Sequence, residues 1–92
     1  MSENEKLLKT LDELEIVPGD RRVLKVLGQF IRDTRIAAGL SQEELSRKSG
    51  ISRYYISSIE RGAKNITILI LCRLADVLSL RAWQLLQKAE EA

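Results

Sequence analysis

Polar side chains recur at helical spacing in a short stretch past the middle of the chain. The outer faces of a helix predicted there carry, in order, Arg53, Tyr54, Ser57, Ser58 and Arg61. Such a helix would turn Ile56 and Ile59 inward. Guanidinium groups, hydroxyls and a flat ring can hydrogen-bond with base edges or contact a thymine methyl group. The stretch therefore indicates a surface that reads nucleic acid.

Two short helices and a tight turn must hold these side chains. Ser41 is followed three residues later by Glu44, the capping-box pattern that marks a helix start. That helix should end at Gly50, because glycine adopts the left-handed conformation without a Cβ clash. Ser52 offers a second N-cap, and the second helix should stop at Gly62. The sequence therefore predicts a helix, a short turn and a second helix.

This stretch resembles the helix-turn-helix of Cro-like, XRE-family repressors. The matching residues are Leu40, Ser41, Gln42, Leu45, Gly50, Ile51, Ser52, Ile56, Ile59, Glu60, Arg61 and Gly62. The resemblance runs from about Leu27 to about Leu86. It implies an all-α fold, a five-helix lambda-repressor-like DNA-binding domain. Residues 64–67, Lys-Asn-Ile-Thr, are similar to the controller proteins of restriction-modification systems, although many relatives have proline at the position of Ile66.

The resemblance also implies roles for individual residues. The base-reading positions are Arg53, Tyr54, Ser57 and Ser58, and the phosphate-contacting positions are Gln42, Arg61, Lys64 and Asn65. Tyr55 is open to two interpretations, a phosphate contact or packing at the edge of the core. Arg35 matches an arginine that pairs with the glutamate found here as Glu60, and direct contact of Arg35 with a phosphate is the alternative.

Apolar periodicity predicts four further helices. An amphipathic N-terminal helix carries Leu7, Leu8, Leu11 and Leu14 on one stripe, and residues 17–19, Val-Pro-Gly, should end it. This pattern divides the chain into a leader, residues 1–19, and a DNA-binding domain, residues 20–92. Asp20 should cap a long helix that ends at Gly39, with Val23, Leu27, Phe30, Ile31 and Thr34 facing inward. Thr67 should cap a fourth domain helix that reaches Leu78, and a fifth should run from Leu80 to about Lys88.

The last two helices carry more apolar residues than one core needs. In the family pattern the inward positions are Ile68, Leu71, Leu74, Ala75, Leu78, Leu80 and Leu85. The additional apolar residues are Leu69, Ile70, Val77 and Trp83. Because large exposed apolar patches usually mark interfaces, these four residues predict a homodimer interface. The leucine stripe of the leader is the alternative cover for the same surface.

Composition narrows the range of functions. The 92 residues contain one cysteine and no histidine, so we expect no enzyme activity, no metal site and no cofactor. The length leaves no room for a separate effector-binding domain, so we expect no small-molecule effector. No apolar run approaches a membrane span, and the N-terminus lacks the features of a secretory signal. We therefore expect a cytoplasmic protein with no membrane partner.

Charge is unevenly distributed. Residues 1–20 carry a net charge of −4, whereas residues 21–88 carry +8. A basic domain suits a phosphate-rich partner. The sequence thus predicts a sequence-specific regulator of transcription that binds double-stranded DNA and reads a palindromic operator as a homodimer, with a restriction-modification controller as the narrower hypothesis. The alternative is an antitoxin or another interaction module that uses the same fold to hold a partner protein.

Overall fold

The computed structural model describes the backbone of residues 18–91 and the side chains of residues 21–91. It contains five helices in this range: α1 (Pro18–Ala37), α2 (Gln42–Ser49), α3 (Arg53–Glu60), α4 (Ile68–Val77) and α5 (Ala82–Glu91). No strand occurs in residues 18–91, so the predicted all-α, five-helix fold is confirmed. The predicted leader helix lies outside the described residues. Among the helices described, none is both long enough and apolar enough to cross a membrane.

Local capping sets the ends of α2, α3 and α4. The Ser41 hydroxyl accepts from the Glu44 amide at 3.0 Å, and the Glu44 carboxylate accepts from the Ser41 amide at 3.1 Å, which completes the capping box. Gly50 ends α2 with a φ of 73°. Ser52 and Thr67 cap α3 and α4 by accepting from backbone amides three residues later, at 3.1 and 3.2 Å. All five of these roles follow from neighbours in the chain.

The core lies where α1 packs against α3 and α5, and α4 against α2 and α5. The most deeply buried apolar side chains are Ile31, Leu45, Ile56, Leu71, Leu74 and Leu85. Gly28 brings the backbone of α1 directly against the C-terminal end of α3, because a Cβ at this position would overlap the carbonyl oxygen of Ile59. The long helix α1 thereby fixes the position of the short helix α3.

Some predicted positions are wrong. Ile68 is 72% exposed and Val23 is 41% exposed, although both were expected to face inward. Ile68 is the first residue of α4, and its outward direction reflects where the neighbouring helices pack rather than its apolar character. Helix α1 begins at Pro18 rather than after Asp20, since proline is tolerated in a first turn where its missing N–H is not needed. Helix α5 begins at Ala82 rather than Leu80.

Candidate nucleic-acid interface

The N-terminal half of α3 presents a polar surface beside the start of α2. Arg53 and Tyr54 are exposed, and Ser57 is partly exposed one turn later. These three side chains and Gln42 line one shallow concavity between the two helices. Helix α3 therefore displays a donor-rich edge that can enter a groove, with α2 beside it.

Ser58 does not belong to that edge, so its predicted role in base reading is wrong. Its side chain is buried, with only 2% of the residue exposed. The Ser58 hydroxyl donates to the Tyr54 carbonyl at 3.1 Å and accepts from Arg61 Nη2 at 3.3 Å. Because α3 is held between α1 and α2, the face that carries Ser58 turns away from solvent while Ser57 stays accessible.

A buried ion pair ties α1 to the end of α3. Arg35 Nε donates to Glu60 Oε2 at 2.7 Å, and Arg35 Nη2 donates to Glu60 Oε1 at 3.0 Å. The remaining nitrogen, Nη1, donates to the Leu40 carbonyl at 2.8 Å. The hydrogen bonds to Glu60 raise the pKa of the Arg35 guanidinium above its ordinary value. Arg35 thus has a structural partner for each nitrogen and is 8% exposed, which favours the structural role over contact with a phosphate.

Gln42 is joined to the same network. Its Nε2 donates to Glu60 Oε1 at 3.1 Å, so one carboxylate oxygen accepts from α1 and from α2 together. An amide nitrogen carries two hydrogens. The Gln42 side chain is therefore oriented by Glu60 while a second N–H stays available for an acceptor such as a phosphate oxygen.

The loop after α3 carries the remaining cationic and polar residues. Arg61, Lys64 and Asn65 are exposed. Tyr55 is half-buried and packs against the core, and Lys64 Nζ lies 5.8 Å from the centre of its ring. Both interpretations of Tyr55 fit this geometry, since the residue packs at the edge of the core and is only partly buried. Arg61, Lys64 and Asn65 form a basic rim next to the recognition edge, which consists of Arg53, Tyr54 and Ser57.

The four apolar residues predicted at the dimer interface divide into two kinds. Leu69 is 64% exposed and Trp83 is 59% exposed, whereas Ile70 and Val77 are half-buried and pack partly against the core. Ile68 and Leu86 are further exposed apolar residues that the sequence did not assign to this surface. Of the four predicted residues, Leu69 of α4 and Trp83 of α5 are therefore the two that are mainly exposed to solvent.

Sequence reasoning missed two residues that position the edge. One is Gly28, where a glycine inside a helical pattern was the available signal. The other is Ser46, whose hydroxyl donates to the Ile51 carbonyl at 2.6 Å and so clamps the turn between α2 and α3. A serine shortly before a turn often makes such a bond, but the partner depends on the fold.

The exposed side chains of this interface are mainly hydrogen-bond donors and cations. In the part of the chain that the structure describes, no group of three or more cysteine, aspartate or glutamate side chains could hold a metal ion. The donors of the edge and the rim instead suit polar and anionic acceptors.

The fold and this interface define a helix-turn-helix protein, and the chain belongs to the helix-turn-helix family, whose profile matches residues 31–82. Its relatives include the control protein C.SmaI of Serratia marcescens, 36% identical over 66 residues that cover 72% of this chain and 79% of the relative. Among solved structures, the restriction-modification controller protein C.AhdI from Aeromonas hydrophila is 38% identical with a TM-score of 0.64, over 68% of this chain and 94% of that one. A structure of SinR, a master regulator for biofilm formation, in complex with DNA is 38% identical with a TM-score of 0.63, over 65% of this chain and 97% of that one.

Proposed function

We propose that this protein is a transcriptional regulator that binds specific sequences of double-stranded DNA. Helix α3 enters the major groove, and Arg53, Tyr54 and Ser57 contact base edges. Arg53 can donate two hydrogen bonds to guanine O6 and N7, and Tyr54 can place its ring on a thymine methyl group.

One observation carries this proposal. Arg53, Tyr54 and Ser57 project from a helix whose opposite face is fixed by core packing, a capped start and a buried ion pair at its end. A rigid helix has little backbone freedom to lose on binding and presents these side chains from fixed positions, which favours a defined geometry against bases. A known SinR structure with DNA, similar to this chain, supports the same partner.

The phosphate contacts are proposed for residues on either side of α3. Gln42 lies at the start of α2, and Arg61, Lys64 and Asn65 lie beyond the end of α3. Tyr55 is proposed as a further contact through its hydroxyl. Contacts of this kind fix the register of the protein on the duplex and contribute most of the salt-sensitive affinity.

The protein acts as a symmetric homodimer in this proposal. Leu69 and Trp83 form the centre of the interface, and Ile70 and Val77 support it from the core side. Two copies related by a two-fold axis would place their α3 helices about 34–36 Å apart, one turn of DNA, and so read a palindromic operator. The likeness to C.SmaI and C.AhdI supports a controller of a restriction-modification system as the narrower function.

The alternative of a protein-holding module is not favoured. Such a module would be expected to place an apolar anchor at the accessible position 57, where the chain has a serine. The relatives described above are named as control proteins and regulators.

Selection from a randomised duplex library, followed by a salt titration, tests the proposal. We expect enrichment of a palindromic sequence, with affinity for it well above that for random DNA, and affinity for both that falls steeply with salt. Failure to enrich any sequence, together with salt-independent or absent DNA binding, would overturn the proposal.

A further inference from the structure

A second apolar surface lies on the opposite flank of α5 from Trp83. It is a mostly apolar groove between α1 and α5, formed by Val26, Phe30 and Ala37 of α1 and Lys88 of α5 together with the polar Gln29, Asp33 and Thr34. Lys88 Nζ lies 5.9 Å from the centre of the Phe30 ring, so the stem of this lysine forms one wall. Val23, 41% exposed, extends the apolar stripe toward the start of α1. Within residues 18–91, no helix covers this stripe.

We propose that the groove is the docking site of residues 1–17, the part of the leader that precedes α1. The leader joins α1 at Pro18, so it is tethered at the end from which the stripe begins. A helix rises about 1.5 Å per residue, so a leader that folds back over its 14 or so helical residues would extend about 21 Å. Phe30 lies twelve residues beyond Pro18, about 18 Å along α1. The leader is thus long enough to reach the groove.

The two apolar stripes have matching spacing. Going back along the chain from the break at Pro18, the leucines Leu14, Leu11 and Leu7 are separated by three and then four residues. Going forward along α1, Val23, Val26 and Phe30 are separated by three and then four residues as well. In an antiparallel helix pair, stripes with these separations meet along their length.

Charge favours the same arrangement. The leader has five acidic and two basic residues, and Asp12, Glu13 and Glu15 stand close to its junction with α1. The first described part of α1 carries exposed Arg21, Arg22 and Lys25. An antiparallel leader brings these two groups side by side, where opposite charges attract.

The sequence left the leader and a second copy of the chain as alternative covers of one apolar surface, but the groove and the surface around Trp83 are two separate sites. Lys88 lines the groove, whereas Trp83 and Leu86 line a different concavity together with Gln87 and Glu90. A leader in the groove leaves Leu69 and Trp83 free for a second copy of the chain. Docking of the leader therefore does not depend on DNA binding.

Cross-linking of the full chain tests the docking. On a background with the exposed Cys72 changed to Ser, the pair Leu11→Cys with Val26→Cys is compared with the matched pair Leu11→Cys with Ile36→Cys. Ile36 is exposed on α1 but does not line the groove. A short bismaleimide reagent is used at low protein concentration, because neighbouring helix axes lie about 8–10 Å apart.

We expect the 11–26 pair to give an intrachain product, seen as a faster band on a denaturing gel, and the 11–36 pair to give little. A second pair, Leu14→Cys with Val23→Cys, tests the same register and remains decisive if the first variant does not fold. Equal intrachain cross-linking of the 11–26 and 11–36 pairs would overturn the proposal that the leader docks in the groove. Products only between chains would also overturn it, because the leader would then cover a second copy.

Discussion

The Arg35 guanidinium and the Glu60 carboxylate meet side by side through two hydrogen bonds, 2.7 and 3.0 Å long, that cross from α1 to α3. Both side chains are nearly excluded from water. Breaking one half of a buried pair leaves an unpaired charge, which is costly. We therefore expect Glu60→Gln to lower the free energy of unfolding by up to about 3–5 kcal/mol, measured by urea denaturation.

The matched control for this substitution is the exposed ion pair of Lys88 and Glu91, in which Lys88 Nζ lies 3.8 Å from Glu91 Oε2. Glu91→Gln should cost less than about 1 kcal/mol, because water screens exposed ion pairs. Equal effects of the two substitutions would show that burial of the Arg35–Glu60 pair does not matter.

Arg53 and Lys64 should respond differently when each is changed to alanine. Arg53→Ala should weaken binding to the preferred operator by about 1–3 kcal/mol and relax the base preference. Lys64→Ala should weaken all DNA alike and lower the salt slope by about one. Binding titrations on operator and random duplexes at several salt concentrations measure both effects. If Arg53→Ala reduces affinity equally on both duplexes, Arg53 does not read bases.

Ser57 and Ser58 are neighbours of one type in different surroundings, which makes them a direct test of the recognition edge. Ser57→Ala should change the sequence enriched from a randomised library, since Ser57 is accessible beside Arg53 and Tyr54. Ser58→Ala should leave the enriched sequence unchanged and alter stability by about 0.5–1.5 kcal/mol, the range for one hydrogen bond. If only Ser58→Ala changed the enriched sequence, the face of α3 that contacts the bases would not be the one proposed.

Trp83→Ala should shift the protein toward monomer and weaken operator binding together. Tryptophan residues at the centre of interfaces often contribute about 2 kcal/mol or more. Analytical ultracentrifugation at micromolar concentration measures the first effect, and operator titration measures the second. Ile36→Ala removes a comparably exposed apolar side chain from α1 and should change neither. A wild-type protein that remains monomeric would contradict the dimer.

Glu44 should make stability depend on pH in the acid range. Hydrogen bonding to the backbone amide of Ser41, and secondly to its side chain, lowers the pKa of the Glu44 carboxyl below the ordinary value of 4.5. A carboxylate with a lowered folded pKa adds stability above its unfolded pKa, and this contribution is lost as pH falls through the folded value. Glu44→Gln keeps a capping partner but cannot titrate. The midpoint temperature of thermal unfolding should therefore fall less steeply from pH 7 to pH 3 for the variant than for the wild-type protein. An equal fall for both proteins would contradict this role of Glu44.

Features set by chain neighbours were predictable from the sequence. The caps at Ser41, Ser52 and Thr67 and the helix end at Gly50 each depend on residues no more than three or four positions away. Their outcome is independent of the packing of distant helices. The helix-turn-helix and the order of the five helices could therefore be predicted.

Features set by packing were less accessible. A serine has no apolar or charged character strong enough to choose a face, so Ser58 could be placed correctly only once α1 and α2 were in position around α3. Ile68 failed for the opposite reason, because an apolar residue in a first turn was assumed to have a neighbour that the fold does not provide. The role of Gly28 could not be predicted, because it depends on α3 packing against α1 at this glycine.

The contact between Gly28 and the Ile59 carbonyl has an evolutionary consequence. Here α1 supports the end of α3 through backbone atoms, and the supporting ion pair lies at Glu60, so the side chains at positions 53, 54 and 57 are not part of this support. Mutations at these three positions can accumulate with little loss of stability. In the proposed binding mode, a lineage carrying this domain can therefore acquire a new operator one base pair at a time, while selection on the scaffold continues to act on a separate set of residues.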